Sequence, residues 1–366
     1  MTSQVYYDLR EQLDHYASGY PSTESGVELR ILEKLFTEEE AQMFLNMSMV
    51  LETPESIAQR LGMDTEQVAA LLERMFKRGL VFRAAKDGSY QYGAVAFTGG
   101  AYEFQVNDMD REFAGLFERY FNEALGKDSI ADNMVLRTIP VSKSIGYKWP
   151  IAPYEDVIAI IKSKEIIGVG PCPCRVQQGL LDQSCGKPLE VCFTFGSRAN
   201  FFVDKDMARY VTQEEALTII DRCQEAGLVS QPYRAQDPDG MCNCCGDCCE
   251  MLRAIKMDPK PAEKTLSNYY ASVDQTRCEG CETCMTRCQM DAIKVGVNNV
   301  AEVNLDRCIG CGLCVSRCPN EAVSLTPKPP EARKEPPAKT RDMMMEMALK
   351  RGKSLVPLAV MRGSES

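Results

Sequence analysis

Residues 278–288 read CEGCETCMTRC and residues 308–319 read CIGCGLCVSRCP, so one spacing of four cysteines, CxxCxxCxxxC, occurs twice with an offset of 30. The similarity extends beyond the cysteines, over residues 274–326. The matching pairs include Arg277 with Arg307, Gly280 with Gly310, and Ala292 with Ala322. Self-similarity at a fixed offset indicates that one structural unit occurs twice along the chain. We therefore predict two equivalent halves with four cysteines each.

This spacing is typical of loops that bind cubane [4Fe-4S] clusters, where three thiolates of a run bind one cluster and the fourth binds the other. One predicted ligand set is Cys278, Cys281, Cys284 and Cys318. The other predicted set is Cys308, Cys311, Cys314 and Cys288. We expect the fourth cysteine of each run to start a helix. Cysteine-only zinc sites are the alternative, but zinc knuckles normally pair two separated CxxC hooks.

Small residues between the ligands allow the backbone to approach the clusters closely. Gly280, Gly310 and Gly312 occupy such positions, and we expect backbone N–H groups to point at the sulfurs there. Over about residues 274–326 the sequence resembles the bacterial dicluster ferredoxin family, on the strength of these two runs. The resemblance implies a pseudo-twofold fold, with two short helices against small β-hairpins, and a low-potential carrier of single electrons.

One departure from the repeat is visible after the fourth cysteine. Pro319 follows the second run, whereas Gln289 follows the first. All eight ligands are present, so the departure concerns local rigidity rather than cluster binding.

A second group of cysteines lies in the middle of the chain, in the blocks PCPCR and CNCCGDCC and between them. Its members are Cys172, Cys174, Cys185, Cys192, Cys242, Cys244, Cys245, Cys248 and Cys249. Nine thiols suffice for one or two further iron-sulfur clusters, which is our prediction, with zinc or thiol redox chemistry as alternatives. Adjacent cysteines in an extended chain point to opposite sides, so each adjacent pair is expected to serve two centres or leave one thiol free.

Composition narrows the class of protein. Eighteen cysteines without an export signal indicate thiolates occupied by metal in a cytoplasm, because disulfides rarely persist there. The single histidine, His15, argues against a histidine-rich zinc centre and a Ser-His-Asp site. No apolar run approaches the roughly 20 residues of a spanning helix. Neither a Walker loop nor a GxGxxG fingerprint is present, which leaves a nucleotide-driven reaction without support.

The predicted fold class is α+β with several domains. Residues 1–99 form a winged helix-turn-helix-like domain with an N-terminal extension, whose wing turns at Asp87-Gly88. Residues 100–265 form a central mixed α/β cysteine-rich domain, which includes a strand over MVLRTIPV. Residues 266–326 form the dicluster ferredoxin-like domain. Residues 327–366 form a Pro-rich linker and a Met-rich tail that is expected to dock on a partner or, as a second choice, on an anionic membrane surface.

The winged helix raises the question of DNA binding. Residues 27–98 contain 11 acidic and 8 basic residues, a net charge of −3, where a DNA reader usually carries a basic face. A local basic cluster nevertheless lies near the end of the third winged-helix helix and on the wing. Its members are Arg74, Lys77, Arg78, Arg83 and Lys86. Protein docking is therefore favoured over DNA binding.

Three functions are compatible with these patterns. The favoured one is an electron conduit that acts as a subunit or dedicated partner of an anaerobic oxidoreductase. The alternative is a redox-responsive transcription regulator whose winged helix binds DNA. In a third, a central cluster that lacks one cysteine ligand acts on a small molecule.

Overall fold

Five helices and a hairpin make up the N-terminal part of the chain in the computed structural model, which describes residues 2–16, 18–86, 88–127, 134–144, 151–353 and 355. The helices are α1 Gln4–His15, α2 Val27–Leu35, α3 Glu38–Leu45, α4 Pro54–Leu61 and α5 Thr65–Lys77. Side chains before the helices set where they begin: Thr37, Thr53 and Asp64 each accept a backbone N–H of the first turn. Helix α3 ends at Leu45, because the chain then turns to pair Glu52 with Tyr92.

The hairpin follows α5. Strands β1 Phe82–Lys86 and β2 Ser89–Gly93 pair antiparallel, from Phe82 opposite Gly93 to Lys86 opposite Ser89. Gly88 has a left-handed φ of 79°, while Asp87 lies outside the described residues. These elements lie where the sequence predicts them, and the winged-helix assignment itself stays a prediction.

A five-stranded antiparallel sheet forms the centre, in the order β5-β3-β4-β7-β6. Its strands are β3 Ile167–Pro171, β4 Glu190–Phe195, β5 Arg209–Tyr210, β6 Val229–Pro232 and β7 Gly240–Cys244. The helices of this region are α6 Arg111–Tyr120, α7 Val157–Lys162, α8 Pro173–Leu180, α9 Ser197–Asp204, α10 Gln213–Glu225, α11 Glu250–Met257 and α12 Pro261–Lys264. Single turns of π or 3-10 helix lie at Glu103–Gln105, Phe121–Leu125, Ser142–Ser144 and Pro153–Glu155, and the backbone at Phe97–Ala101 is kinked.

The predicted strand over MVLRTIPV is wrong. Only Leu136 forms a bridge there, with Tyr233, although the Arg137 and Ile139 N–H groups bond to carbonyl groups of β6 and its neighbourhood. Pro140 has no N–H to continue a ladder, so the segment follows the edge of the sheet without becoming a strand.

Two small antiparallel pairs enclose the repeat. Strand β8 Tyr269–Val273 pairs with β11 Val323–Pro327, and β9 Ile293–Val295 pairs with β10 Ala301–Val303. The registers are related by the sequence offset: Val323 opposite Val273 corresponds to Ile293 opposite Val303, since 293 + 30 = 323 and 273 + 30 = 303. The two halves are therefore structurally equivalent.

The expectation that the fourth cysteine starts a helix is wrong for both runs. Helix α13 Thr283–Arg287 contains the third cysteine and ends before Cys288, which is its C-terminal cap. In the second run residues 313–317 form turns, and Cys318 follows them. Only four residues separate each fourth cysteine from the next strand, β9 or β11, so a helix has no room to form there.

Hydrophobic cores join these parts. Phe201 of α9 packs on Phe76 of α5 and Phe82 of β1, with ring centroids 5.6 and 4.7 Å apart, so the N-terminal core continues past the predicted boundary at residue 99. A short turn at Pro330–Ala332 precedes the tail helix α14 Thr340–Lys350, which buries Met343 and Met347. Among the described residues no helix is both long and apolar enough to span a membrane.

Candidate metal centres

The eight repeat cysteines surround two separate cavities. One cavity is lined by Cys278, Cys281, Cys284 and Cys318. The other is lined by Cys288, Cys308, Cys311 and Cys314. Each cavity thus receives three thiols from one run and the fourth from the other, and all eighteen cysteines of the chain are free thiols. Cluster binding by these residues stays a prediction, and two sets of four thiols fit it chemically.

Backbone N–H groups point at the sulfurs from equivalent positions in both halves. Ala301 donates to Cys278 Sγ and Ala271 to Cys308 Sγ, each at 3.3 Å. The fourth cysteines receive similar bonds, from Ala292 to Cys288 at 3.3 Å and from Ala322 to Cys318 at 3.2 Å. Such bonds stabilise thiolates and raise the potential of a bound cluster.

The glycines between the ligands have left-handed φ values, and each lies too close to a neighbour to accommodate a Cβ. Gly310 and Gly312 have φ values of 67° and 75°, and a Cβ on Gly312 would lie 2.1 Å from Ser144 Oγ. A Cβ on Gly280 would lie 2.4 Å from the Asn299 carbonyl oxygen. Glu282, the first-run counterpart of Gly312, is itself in the left-handed region at φ 61°. The backbone thus turns the same way around both cavities.

The two cavities differ in their exposure to solvent. Cys281 is exposed at the edge of the first cavity, whereas Ile309 and Leu313 at the second are buried. Burial raises the pKa of Cys311, a ligand candidate of the second cavity, to about 12. The second cavity also borders the core that contains Cys244 and Cys249. The first therefore faces solvent and the second faces the centre of the molecule.

Contacts next to the repeat attach it to the central domain. The Gln289 side chain accepts a 2.7 Å hydrogen bond from the Gly246 N–H, inside the CNCCGDCC block. Arg287 donates to the carbonyl groups of Gln224 and Glu225 at the end of α10. A cation there interacts favourably with the helix dipole. The residue that departs from the repeat pattern is thus a link between the two cysteine groups, which the sequence alone did not indicate.

Six central cysteines surround a third cavity. They are Cys172, Cys174, Cys192, Cys242, Cys244 and Cys249. Strand β7 supplies two of them, β4 one, and the N-termini of α8 and α11 the rest. Helix N-termini and hydrogen-bond donors stabilise thiolates. Hydrogen bonds from neighbouring thiols hold the pKa of Cys242 and Cys249 well below the usual value.

Several buried polar side-chain atoms also lie at this cavity. Within the described residues, Thr98 Oγ1, Thr194 Oγ1, Arg198 Nε and Glu250 Oε2 are buried and have no hydrogen-bond partner. Buried polar atoms are normally paired, so these atoms fit a cavity that receives a polar group from outside the chain.

A buried carboxyl also lines this cavity. Burial raises the pKa of Glu103 to about 7, although the Gly99 N–H and the Arg198 guanidinium favour its charged form. The Glu103 oxygens accept hydrogen bonds of 2.9 Å from Gly99 and Gly100. Sequence reasoning missed Glu103 and Arg198, because no cysteine lies within five residues of either along the chain.

The remaining central cysteines are divided between two places. Cys185, Cys245 and Cys248 lie together, with all three sulfurs within 4.8 Å of one another. The adjacent pairs Cys244-Cys245 and Cys248-Cys249 thus divide, one member of each facing the six-thiol cavity. Cys223 is buried in α10, where burial raises the pKa of its thiol to about 12. It belongs to neither group of central thiols, and a buried cysteine of this kind is typically structural.

The comparison with known families locates one domain. Residues 271–325 match the family model described as a 4Fe-4S dicluster domain. No curated protein and no solved structure matches the chain. The match confirms a ferredoxin-like iron-sulfur domain, and together with the many cysteines it indicates an iron-sulfur electron-transfer protein. It covers 55 of 366 residues (325 − 271 + 1), so it does not assign the rest of the chain.

Proposed function

We propose that this iron-sulfur protein is a subunit or dedicated partner of an anaerobic oxidoreductase, and that it conducts single electrons through two [4Fe-4S] clusters and a further central centre. The observation that carries the proposal is the pair of cavities with four thiols each, exchanging their fourth cysteines. When bound, such clusters supply reversible one-electron transfer. The crossed ligand sets keep the two cavities next to each other.

The chain's own residues give the route a direction. The exposed edge at Cys281 is the proposed contact with a redox partner. From there the second cavity borders the core shared with Cys244 and Cys249, which belong to the six-thiol group. Gln289 and Arg287 hold the repeat against the central domain. We therefore assign the six thiols to the further central centre and place it at the inner end of the route.

Metal analysis with EPR spectroscopy tests this proposal. Protein purified without oxygen should contain at least about eight irons and matching sulfide per chain, as two cubane clusters require. After reduction it should show EPR signals of interacting clusters. Iron above that amount, lost on replacing Cys242 by Ser, would support the central centre. Protein that contains zinc and no iron would refute the proposal.

The transcription-regulator alternative is less well supported, because the three arginines of the basic cluster form ion pairs within the chain. Arg74 and Arg78 form ion pairs with Glu39 and the buried Glu40, and Arg83 pairs with Glu73 at 2.9 Å. Arginines that are already paired with carboxylates contribute less to phosphate binding. Gel-shift measurements near physiological salt should show no affinity above the nonspecific level. Tight DNA binding that is lost in Arg74→Glu would favour the regulator.

A further inference from the structure

The thiols of Cys185, Cys245 and Cys248 form a compact group outside the cavities assigned to electron transfer. Cys245 and Cys248 are 1% exposed, and Cys185 lies half-buried in the loop between α8 and β4. The Cys185 and Cys245 sulfurs are 3.8 Å apart. These three thiols therefore form a possible binding site that is separate from the other cavities.

The spacing of the sulfurs fits a single tetrahedral ion. Zn–S bonds of about 2.3 Å in a regular tetrahedron place neighbouring sulfurs about 3.8 Å apart. Thiolates on a cubane bind different irons and are spread more widely. In the described parts of the chain this is the one group of three His, Cys, Asp or Glu side chains whose donor atoms all approach within 4.8 Å. The six-thiol group and the ferredoxin-type cysteines are more open.

The surrounding charges also fit. Three thiolates and one Zn²⁺ ion carry a net charge of −1, which is costly to bury without cations nearby. The Arg175 guanidinium lies beside Cys245 and is buried. The Lys187 ammonium interacts with Cys245 and Cys185 and pairs with Asp247. Arg175 on the buried side and Lys187 on the solvent side therefore offset the negative charge of the site.

The described part of the chain supplies three protein ligands to this group. No further Cys, His or carboxylate among the described residues joins the group. His15, the one histidine of the chain, lies at the end of α1 near Lys353. Zinc sites with three protein ligands keep the fourth position for water or substrate, whereas structural sites are closed by four. The exposed residues 182–184 and 186 flank Cys185 and leave an approach from solvent.

We propose that Cys185, Cys245 and Cys248 bind one zinc ion whose fourth position is open to water or a small exogenous thiol. The site is separate from the two ferredoxin-type cavities and does not depend on the electron-transfer proposal. An open zinc position bound by thiolates activates a coordinated water or thiol as a nucleophile.

Metal content of matched variants tests the ligand assignment. The full chain, purified anaerobically, should contain about one zinc per chain, which Cys185→Ser and Cys248→Ser should remove while the iron content stays unchanged. Cys223→Ser is the control, because it removes a buried cysteine that belongs to neither group. The EPR signals of the reduced ferredoxin-type clusters report whether each variant is folded. Loss of iron with zinc unchanged, or wild-type protein without zinc, would overturn the proposal.

Spectroscopy of the wild-type chain tests the geometry without relying on a variant that folds. Zinc-edge X-ray absorption should show three sulfurs at about 2.3 Å and one lighter atom. After exchange with Co²⁺, the ligand-field bands should shift when azide or ethanethiol is added. Four sulfurs at the zinc edge, or bands that do not respond, would identify a closed site and refute the open position. Zinc loss in Cys172→Ser would do the same.

Discussion

At the scale of single residues, the exchange of fourth cysteines makes the two halves of the repeat interdependent. Cys318 lies with the first run and Cys288 with the second, so neither run of four completes a ligand set by itself. Spacing predicts this exchange, because the rule for such loops assigns the fourth thiol to the other cluster. The structure adds that the N–H groups of Ala271 and Ala301 are exchanged in the same way.

Pairs of serine substitutions should reveal this exchange in the iron content. Cys278→Ser combined with Cys318→Ser removes two ligands of one cavity, so about four irons should be lost. Cys278→Ser combined with Cys288→Ser affects both cavities, and about eight should be lost. Iron and sulfide analysis of anaerobic protein measures the difference. Equal losses from the two double variants would contradict the crossed assignment.

Gln289 provides a second residue-scale test. Gln289→Ala removes the acceptor of the Gly246 N–H, which should cost about 1 kcal/mol of unfolding free energy. Gly246→Ala should cost more, because a Cβ there would lie 2.6 Å from the Gln289 carbonyl oxygen. Denaturant titration measures both, and Gln59→Ala on the exposed face of α4 is the control. If Gln289→Ala unfolds like the Gln59 control, the bond does not link the domains.

For helices and strands, the sequence predictions were correct where neighbouring residues determine the structure. They were wrong where contacts between residues distant in the sequence determine it. Strands β1 and β2 lie on either side of the predicted turn, because turn chemistry is local. Strand β7 was missed, since a cysteine-rich run has no alternation to indicate a strand and its pairing comes from β4 and β6. Likewise, the central thiols were identified as a set, but their division into six and three depends on the fold.

The tail helix α14 illustrates the same limit and permits a stability test. Its Met343 and Met347 are fully buried beside Leu252 and Leu313, whereas Met345 is 45% exposed. Met343→Ala should lower the free energy of unfolding by about 2–5 kcal/mol, the usual cost of such a cavity. Met345→Ala should stay within about 0.5 kcal/mol of wild type. Denaturant unfolding compares them, and equal costs would show that α14 does not pack as described.

Across the molecule, hydrogen bonds and an ion pair connect the segment after α14 to the C-terminal end of α1. Arg351, just after α14, donates to Asp14 Oδ1 at 2.7 Å and to the carbonyl oxygen of Asp14 at 2.6 Å. Burial alone would raise the pKa of Asp14, but the Tyr20 N–H and the Arg351 guanidinium hold it below the usual value. Both side chains are less than a fifth exposed, so solvent screens this pair little.

The pair should make the attachment of the tail dependent on pH. A carboxyl with a lowered folded pKa stabilises the native state above its unfolded pKa of about 3.9, and this stabilisation is lost as pH falls through the folded value. Asp14→Asn should therefore cost about 1–3 kcal/mol at pH 7 and pH 5, and progressively less below about pH 4. Hydrogen exchange of α14 and denaturant unfolding measure this, with the exposed Glu24→Gln as control. A cost that does not shrink in acid would exclude charge as its source.

The pairing of the first repeat strand, β8, with the last, β11, has a consequence for synthesis on the ribosome. Cys278 is translated forty residues before Cys318 (318 − 278 = 40). At a translation rate of about 5–20 residues per second, Cys318 is added about 2–8 s after Cys278. Under the proposed ligand assignment, the first cavity therefore has its four thiols only after the second run has been translated.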